Sequence, residues 1–286
     1  MAKTLLVEGE IHWGYSIRAV SESAAAHPYT VPPPSTLMGA LAFGIAQLHL
    51  RKPECLYEDG KLYSFTVKVF DHTLWATMSL GGSSLVTPSS DMIKMFSLIY
   101  QRGERHKLEY WEKGMWFGVR GHGKMYNPNG NFKILYVIND RLIDEIGSEQ
   151  NLIKAAYQIS RLGSKESIVN INSALLSTKL EVMRDKRPLR TSFYFPTELA
   201  EDVADAVIVT LPKTLKSSFI ISPREALSLS LHENYYLPAL QLGYLRPREA
   251  IVRKLSKNGV AFRASFEDRE ILFIAPKSLA EKLGGV

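Results

Sequence analysis

The chain has 286 residues, 45% hydrophobic and 22% charged, with a net charge of +6, a balance that fits one large or two modest globular domains and excludes a disordered or fibrous chain. No apolar run approaches the roughly 18 residues of a membrane span, and the first strand-like segment has neither a cationic lead nor a cleavage pattern, so no membrane association or signal peptide is expected. The one cysteine, Cys55, excludes an internal disulfide and a cysteine-built zinc site and fits a reducing cytoplasm.

Residues 4–20 read as a long first strand, with Gly9 and Gly14 marking bulges or close backbone approach. Residues 21–30 are a small-residue loop. Residues 31–34, Val-Pro-Pro-Pro, are expected to be extended, because each proline pushes its predecessor out of the helical region. Ser35 then reads as an N-cap. Leu37, Met38, Leu41, Ala42, Ile45 and Leu48 follow at helical spacing, so a helix is predicted to about Leu50. Residues 62–70 and 74–80 read as two strands around a tight Asp71-His72 turn, and 81–91 as a loop. Residues 93–130 mix Trp111, Trp116, Phe117 and Tyr126 with many charges and glycines, the pattern of an inserted, protruding hairpin.

A strand is predicted over 132–138. Ser148 caps a helix over about 149–162 that buries Leu152, Ala155, Ala156 and Ile159, and Gly163 stops it. Residues 168–182 are extended. The order β-α-β-β-insertion-β-α-β is close to a ferredoxin-like or RRM-type α+β unit with an antiparallel sheet. The division expected is an RRM-like domain over 1–185, with its insertion at about 93–130, and a smaller β-rich part over 186–286. In that part 206–211 reads as a strand, 222–231 as a short helix, and 249–275 as an antiparallel meander turning at Asn258-Gly259.

A pI near 9.2 permits a polyanion partner without demanding one. The distribution of charge says more. Basic residues gather over 102–133, over 161–190 and over 246–257. The second cluster opens with Arg161-Leu162-Gly163-Ser164-Lys165-Glu166-Ser167. A glycine after a helix end lets the backbone approach a ligand, the N–H groups of Gly163, Ser164 and Lys165 suit a phosphate, and Arg161 and Lys165 add charge. The same residues also suit an ordinary C-cap followed by a charged turn. The segment Tyr29-Thr30-Val31-Pro32-Pro33-Pro34-Ser35-Thr36-Leu37-Met38-Gly39-Ala40-Leu41 delivers a stiff run into a helix start, where N–H groups, the helix dipole and the Ser35 and Thr36 hydroxyls favour an anion.

Together these two segments resemble the CRISPR Cascade subunit that caps the 5′ handle of the guide RNA, a member of the RAMP superfamily, nearest the type I-A branch. The pattern R-x-G-x-K-E-S is similar to that family's glycine-rich loop. The resemblance covers residues 4–185, and the C-terminal third by overall length only. It implies that the Gly163 loop and the Ser35 helix start hold the handle, joined by a basic residue near the end of the first strand, for which Arg18 is the best match. Tyr29 either stacks on a base or packs under the prolines. The family's thumb-like hairpin folds over the nucleic acid and meets the neighbouring backbone subunit. Here Arg102, Arg105, Lys107, Arg120 and Lys124 alternate with Tyr110, Trp111, Trp116 and Tyr126, cations for phosphates and rings for bases. The implied partners are the guide RNA 5′ handle, the Cascade backbone and large subunits and, through base pairing alone, target DNA. No cofactor or metal is expected.

Metal-independent RNA cleavage needs a base near a 2′-hydroxyl and an acid near the leaving oxygen. His27 with Tyr29, His106 with Lys107 and His122 with Lys124 are the candidates. None matches the Tyr, Lys and His set of the family's cleaving branch, and no hydrolase or nucleotide-binding motif is present. The chain therefore reads as a non-catalytic RNA-binding subunit. A guide-processing endoribonuclease and a protein scaffold without RNA are the alternatives.

Overall fold

The first strand, β1 (Ala2–Ile11), carries Leu5, Leu6 and Val7 in succession, each fully buried. Side chains alternate across a strand, so burial of consecutive residues means that both faces of this sheet are covered. The structure is a computed structural model that describes residues 2–17, 28–48, 55–81, 85–96, 117–128, 130–177, 179–183, 188–221 and 231–284.

After β1 come β2 (Gly14–Tyr15), α1 (Pro34–Leu48), β3 (Cys55–Glu58), β4 (Lys61–Ser64), α2 (Thr66–His72), β5 (Thr73–Gly81), β6 (Thr87–Phe96), β7 (Phe117–Tyr126), β8 (Gly130–Asn139), α3 (Asp140–Ile146), α4 (Glu149–Tyr157) and β9 (Val169–Leu176). The central sheet runs β5-β8-β1-β9, antiparallel throughout, with Leu6 opposite both Leu135 and Leu175. Its register slips between Glu8 and Gly9. A Cβ at Gly9 would lie 2.2 Å from the Asn170 carbonyl oxygen, so only glycine lets β9 approach there.

Leu5, Val7, Ile134 and Tyr136 face α1, α2 and α4. Leu6, Leu135 and Val137 face Phe262, Ala264 and Phe273 of the C-terminal region. That region holds β10 (Lys179–Val182), β11 (Leu189–Thr191), β12 (Phe195–Pro196), β13 (Ala200–Ala204), β14 (Val207–Pro212), β15 (His232–Leu237), β16 (Ala239–Gln241), β17 (Leu245–Pro247), β18 (Ala250–Leu255), β19 (Gly259–Ser265), β20 (Glu270–Pro276) and a last helix, Lys277–Lys282. Its strands form small sheets, among them β10-β19-β20, β11-β18-β13 and β12-β15-β14. The fold is therefore mixed helix and antiparallel sheet, mostly strand, as expected. No described helix is long and apolar enough to cross a membrane.

Several local readings change. The first strand ends at Ile11, and the chain bends at His12 and Trp13 before β2. Residues 66–72 form α2 rather than a strand. Their alternation, with Val67 and Val69 both fully buried, mimics a strand, but the segment packs as two helical turns against α1 and β5. α4 stops at Tyr157, well before Gly163. The Asn258-Gly259 turn joins β18 and β19, which lie in different sheets, and is not a hairpin. Ser148 caps α4 as expected, its hydroxyl accepting from the Asn151 N–H at 3.1 Å. The expected hairpin arms exist as β6 and β7, paired from Thr87↔Tyr126 to Phe96↔Phe117, and they begin earlier than the sequence suggested. The expected helix over 222–231 lies, save Leu231, outside the described residues.

Candidate nucleic-acid interface

Three prolines in succession supply carbonyls but no N–H groups. Buried carbonyls need donors, and tyrosine hydroxyls provide them here. Tyr15 donates to the Thr30 carbonyl at 2.6 Å, Tyr194 to Pro32 at 3.0 Å and Tyr136 to Leu37 at 2.8 Å. All three rings are buried, and burial holds each phenol well above its ordinary pKa, so each stays a donor. α1 opens at Pro34, not Ser35. Pro33 is the residue before the helix, and its carbonyl accepts from the Thr36 N–H at 2.9 Å and the Leu37 N–H at 3.2 Å. Ser35 is thus inside the first turn, and its expected capping role falls away. Pro34 has no N–H, and two of the next three are satisfied internally. The helix start offers an anion far fewer donors than the sequence suggested.

The Gly163 loop is not a helix cap. Arg161 and Ile168 bridge its base, the Leu162 N–H donates to the Ser167 carbonyl at 3.0 Å, and the Val169 N–H donates to Ser160 at 3.0 Å. Gly163 has φ +110°, where a side chain is strained, and a Cβ there would meet Ile17 at 2.5 Å. The loop is fastened to the chain after β2. The Ser164 N–H donates to the Ser16 carbonyl at 3.1 Å, and the Ser16 N–H donates to the buried Ser167 hydroxyl at 2.9 Å. One of the three N–H groups expected to face a phosphate is therefore turned inward. Arg161, Ser164 and Lys165 stay exposed.

This loop and α1 share a cleft of about 690 Å³. Thr36, Gly39, Phe43, Gln47, Arg161 and Gly163 line it. The Arg161 guanidinium lies over the Phe43 ring, 5.4 Å from its centroid, which aims a cation along the cleft wall. At the loop's other side Trp13 donates its indole N–H to the Glu166 carbonyl at 2.6 Å. Lys124 stands over the Trp13 ring at 5.4 Å and reaches the Glu166 carboxylate at 3.6 Å. Trp13 and Tyr126 meet edge to face, with centroids 5.7 Å apart. The Asn127 N–H donates to the Trp13 carbonyl at 2.8 Å, and the Ser16 hydroxyl to Gly123 at 2.8 Å. Loop, first-strand end and hairpin base are thereby one surface.

No family model matches the chain. It is 28% identical over 236 residues to "CRISPR-associated protein Cas5 2" of Saccharolobus solfataricus, covering 82% of each chain. It is 27% identical over 190 residues to "CRISPR system aCascade subunit Cas5 1" of the same organism, covering 65% of this chain and 69% of the relative. The chain is thus similar in sequence to proteins named Cas5. Its fold is similar to that in "Crystal structure of a CRISPR protein from Archaeoglobus fulgidus", with a TM-score of 0.54 at 16% identity over 96% of this chain and 99% of that one.

In this chain Thr36, Arg161, Gly163, Ser164, Lys165 and Lys124 lie on the joined surface, while Ser35 stands at the α1 start half-buried and outside the cleft lining. Tyr29 is 7% exposed, with its hydroxyl 3.2 Å from His232 Nε2, so its ring is packed inside the fold rather than open to a base. Arg18, Arg102, Arg105 and Lys107 lie outside the described residues, as do His27 and His106. Arg120 and His122 sit on β7, opposite Ile93 and Asp91. Sequence reasoning missed Trp13. Its signal was an aromatic beside Gly14 where the first strand's alternation fails, but nothing local links it to Glu166.

An RRM binds RNA on the face of its four-stranded sheet. Here one face meets helices and the other meets Phe262 and Phe273, so the sheet offers no platform of that kind. Among the described residues no group of His, Cys, Asp or Glu is placed to hold a metal.

Proposed function

We propose that the chain is an RNA-binding subunit of a Cascade-type CRISPR complex that holds the 5′ handle of the guide RNA and caps one end of the backbone filament. One observation carries this reading: Arg161, Gly163 and Thr36, from the two segments that resemble the family, line a single cleft. Arg161 and Lys165 supply charge to successive phosphates, Thr36 offers a hydroxyl, and the fastened Gly163 loop holds its shape without paying for order on binding. The sheet β5-β8-β1-β9 with α1 and α4 is read as the RRM-type unit, and β6 with β7 as the arms of the thumb. The thumb clamps the first guide bases against the neighbouring backbone subunit, the large subunit packs nearby, and target DNA is read by base pairing alone. The chain binds its RNA without cutting it. Of the described histidines, His72 lies 3.0 Å from Glu145 and His232 meets Tyr29, while His12 precedes Trp13 at the end of the first strand and His122 sits on β7.

The test is RNA binding by the purified chain to a repeat-derived 5′-handle oligonucleotide, against a scrambled RNA, with the recovered RNA run on a denaturing gel. The expected result is preferential binding, intact RNA, and loss of affinity in Arg161→Ala/Lys165→Ala. Loss of two phosphate contacts should also flatten the log affinity against log salt slope by about 1.4, since each single-strand contact adds about 0.7. Equal binding of both RNAs overturns handle recognition, and a shortened RNA establishes the endoribonuclease reading instead.

A further inference from the structure

We infer that Trp13 and Tyr126 form a stacking corner that takes one unpaired nucleobase of the bound RNA, an inference that rests on the RNA-binding reading above. Tyr126 is 38% exposed although it belongs to a strand paired on both sides. Its partner across β2 is Gly14, which has no side chain, and on that side the ring meets Trp13. The two rings stand at 65°, giving a flat ligand the face of one and the edge of the other.

The corner is built rather than incidental. Two contacts fix the indole, its N–H to the Glu166 carbonyl at 2.6 Å and Lys124 over its ring, and the Trp13 main chain is held by the Asn127 N–H donating to its backbone carbonyl at 2.8 Å. Gly14 is held at φ +152° with its Cβ position 2.0 Å from the Met125 carbonyl oxygen, so no other residue lets the chain turn here and keep the ladder to β7. A ring already locked loses little freedom when a base stacks on it. Glu166, whose carbonyl holds the indole, lies next to Lys165, so the corner and the cationic loop share one backbone. A strand whose phosphates follow Arg161 and Lys165 brings a base to Trp13. Stacking is indifferent to base identity, so this corner contributes affinity and register rather than sequence reading.

The experiment uses the full chain and a handle RNA carrying 2-aminopurine at successive positions. Fluorescence quenching at one position is expected for the unaltered protein. Trp13→Leu and Tyr126→Leu should abolish that quenching and weaken binding roughly 5- to 150-fold. Trp13→Phe lacks the indole N–H but keeps a ring, and should retain most of the quenching. If Leu and Phe variants at position 13 behave alike, the residue only braces the Glu166 loop and the inference fails. If quenching is absent at every position while Arg161→Ala/Lys165→Ala still abolishes binding, the stacking corner is wrong and phosphate binding stands. If the unaltered chain binds no RNA, both fall.

Discussion

Tyr194 donates its hydroxyl to the carbonyl of Pro32 across 3.0 Å, with a phenol 1% exposed and 162 residues away in sequence. Tyr15 does the same for Thr30 and Tyr136 for Leu37. The proline run is rigid in its own dihedrals, but its place in the molecule comes from these hydroxyls. They set where α1 begins, and hence where Thr36 faces Arg161 across the cleft.

Tyr194→Phe leaves a buried carbonyl without a donor at nearly unchanged volume. It should destabilise the protein by about 1–3 kcal/mol. Urea unfolding measures this. A change under about 0.5 kcal/mol means water or another group replaces the hydroxyl.

Burial raises the pKa of Tyr15, Tyr136, Tyr194 and Tyr235, and Glu233 raises the last further. A raised folded-state value contributes stability that is complete below the unfolded value near 10 and is lost as pH climbs through the folded value. Each phenol should therefore remove up to about 1.4 kcal/mol per pH unit above about pH 10. Thermal melts from pH 8 to 11.5, with phenolate absorbance, should show a flat region, then a steep fall with ionisation appearing only on unfolding. Phenolate absorbance from these residues in the folded protein near pH 10 contradicts their burial.

Gly44 sits in the middle of α1, where alanine normally stabilises a helix by about 1 kcal/mol. A Cβ there would lie 2.0 Å from the Ala155 carbonyl oxygen, so α1 and α4 would have to separate. Gly44→Ala should therefore destabilise by about 1–3 kcal/mol. The cleft shared by α1 and the Gly163 loop would widen, so RNA affinity should fall with stability. Calorimetry and binding on the same variant check both.

Arg269 donates from Nη1 to both Glu8 carboxylate oxygens at 2.9 Å, tying the β19–β20 turn to β1, and Lys133 reaches Glu8 at 2.9 Å. Glu8 is the less exposed partner. Arg269→Ala should cost about 0.5–1.5 kcal/mol, less than a dry ion pair because Lys133 remains and solvent screens the site. Denaturant midpoints at low and high salt should show the difference shrinking with salt.

Much of this was legible from residue order. The helical spacing from Leu37 to Leu48 yields α1, the Ser148 hydroxyl starts α4, and the run Ile134 to Ile138 yields a strand buried on both faces. The misreadings have particular causes. Thr66 to His72 alternates like a strand but lies among α1 and β5, and a short β-branched segment takes the conformation its neighbours can pack. Gly163 after a helical pattern imitates a C-cap. The Arg161–Ile168 bridge and the Ser16 contacts, made by residues distant in sequence, turn it into the tip of a loop.

By itself the sequence determined what depends on neighbours along the chain: the stiffness of Pro32-Pro33-Pro34, the helix periods, the glycine positions and the cationic character of Arg161 and Lys165. Only the tertiary structure decided which donors remain outward. Thr36 and Leu37 bond back to Pro33, and Ser164 bonds to Ser16, so N–H groups that looked free in the sequence are satisfied inside the fold. It also decided that the sheet face is covered by Phe262 and Phe273, and that Trp13 stands against Glu166. Backbone polarity is present at every residue. Whether a given group faces a ligand or a partner is fixed only when distant segments meet.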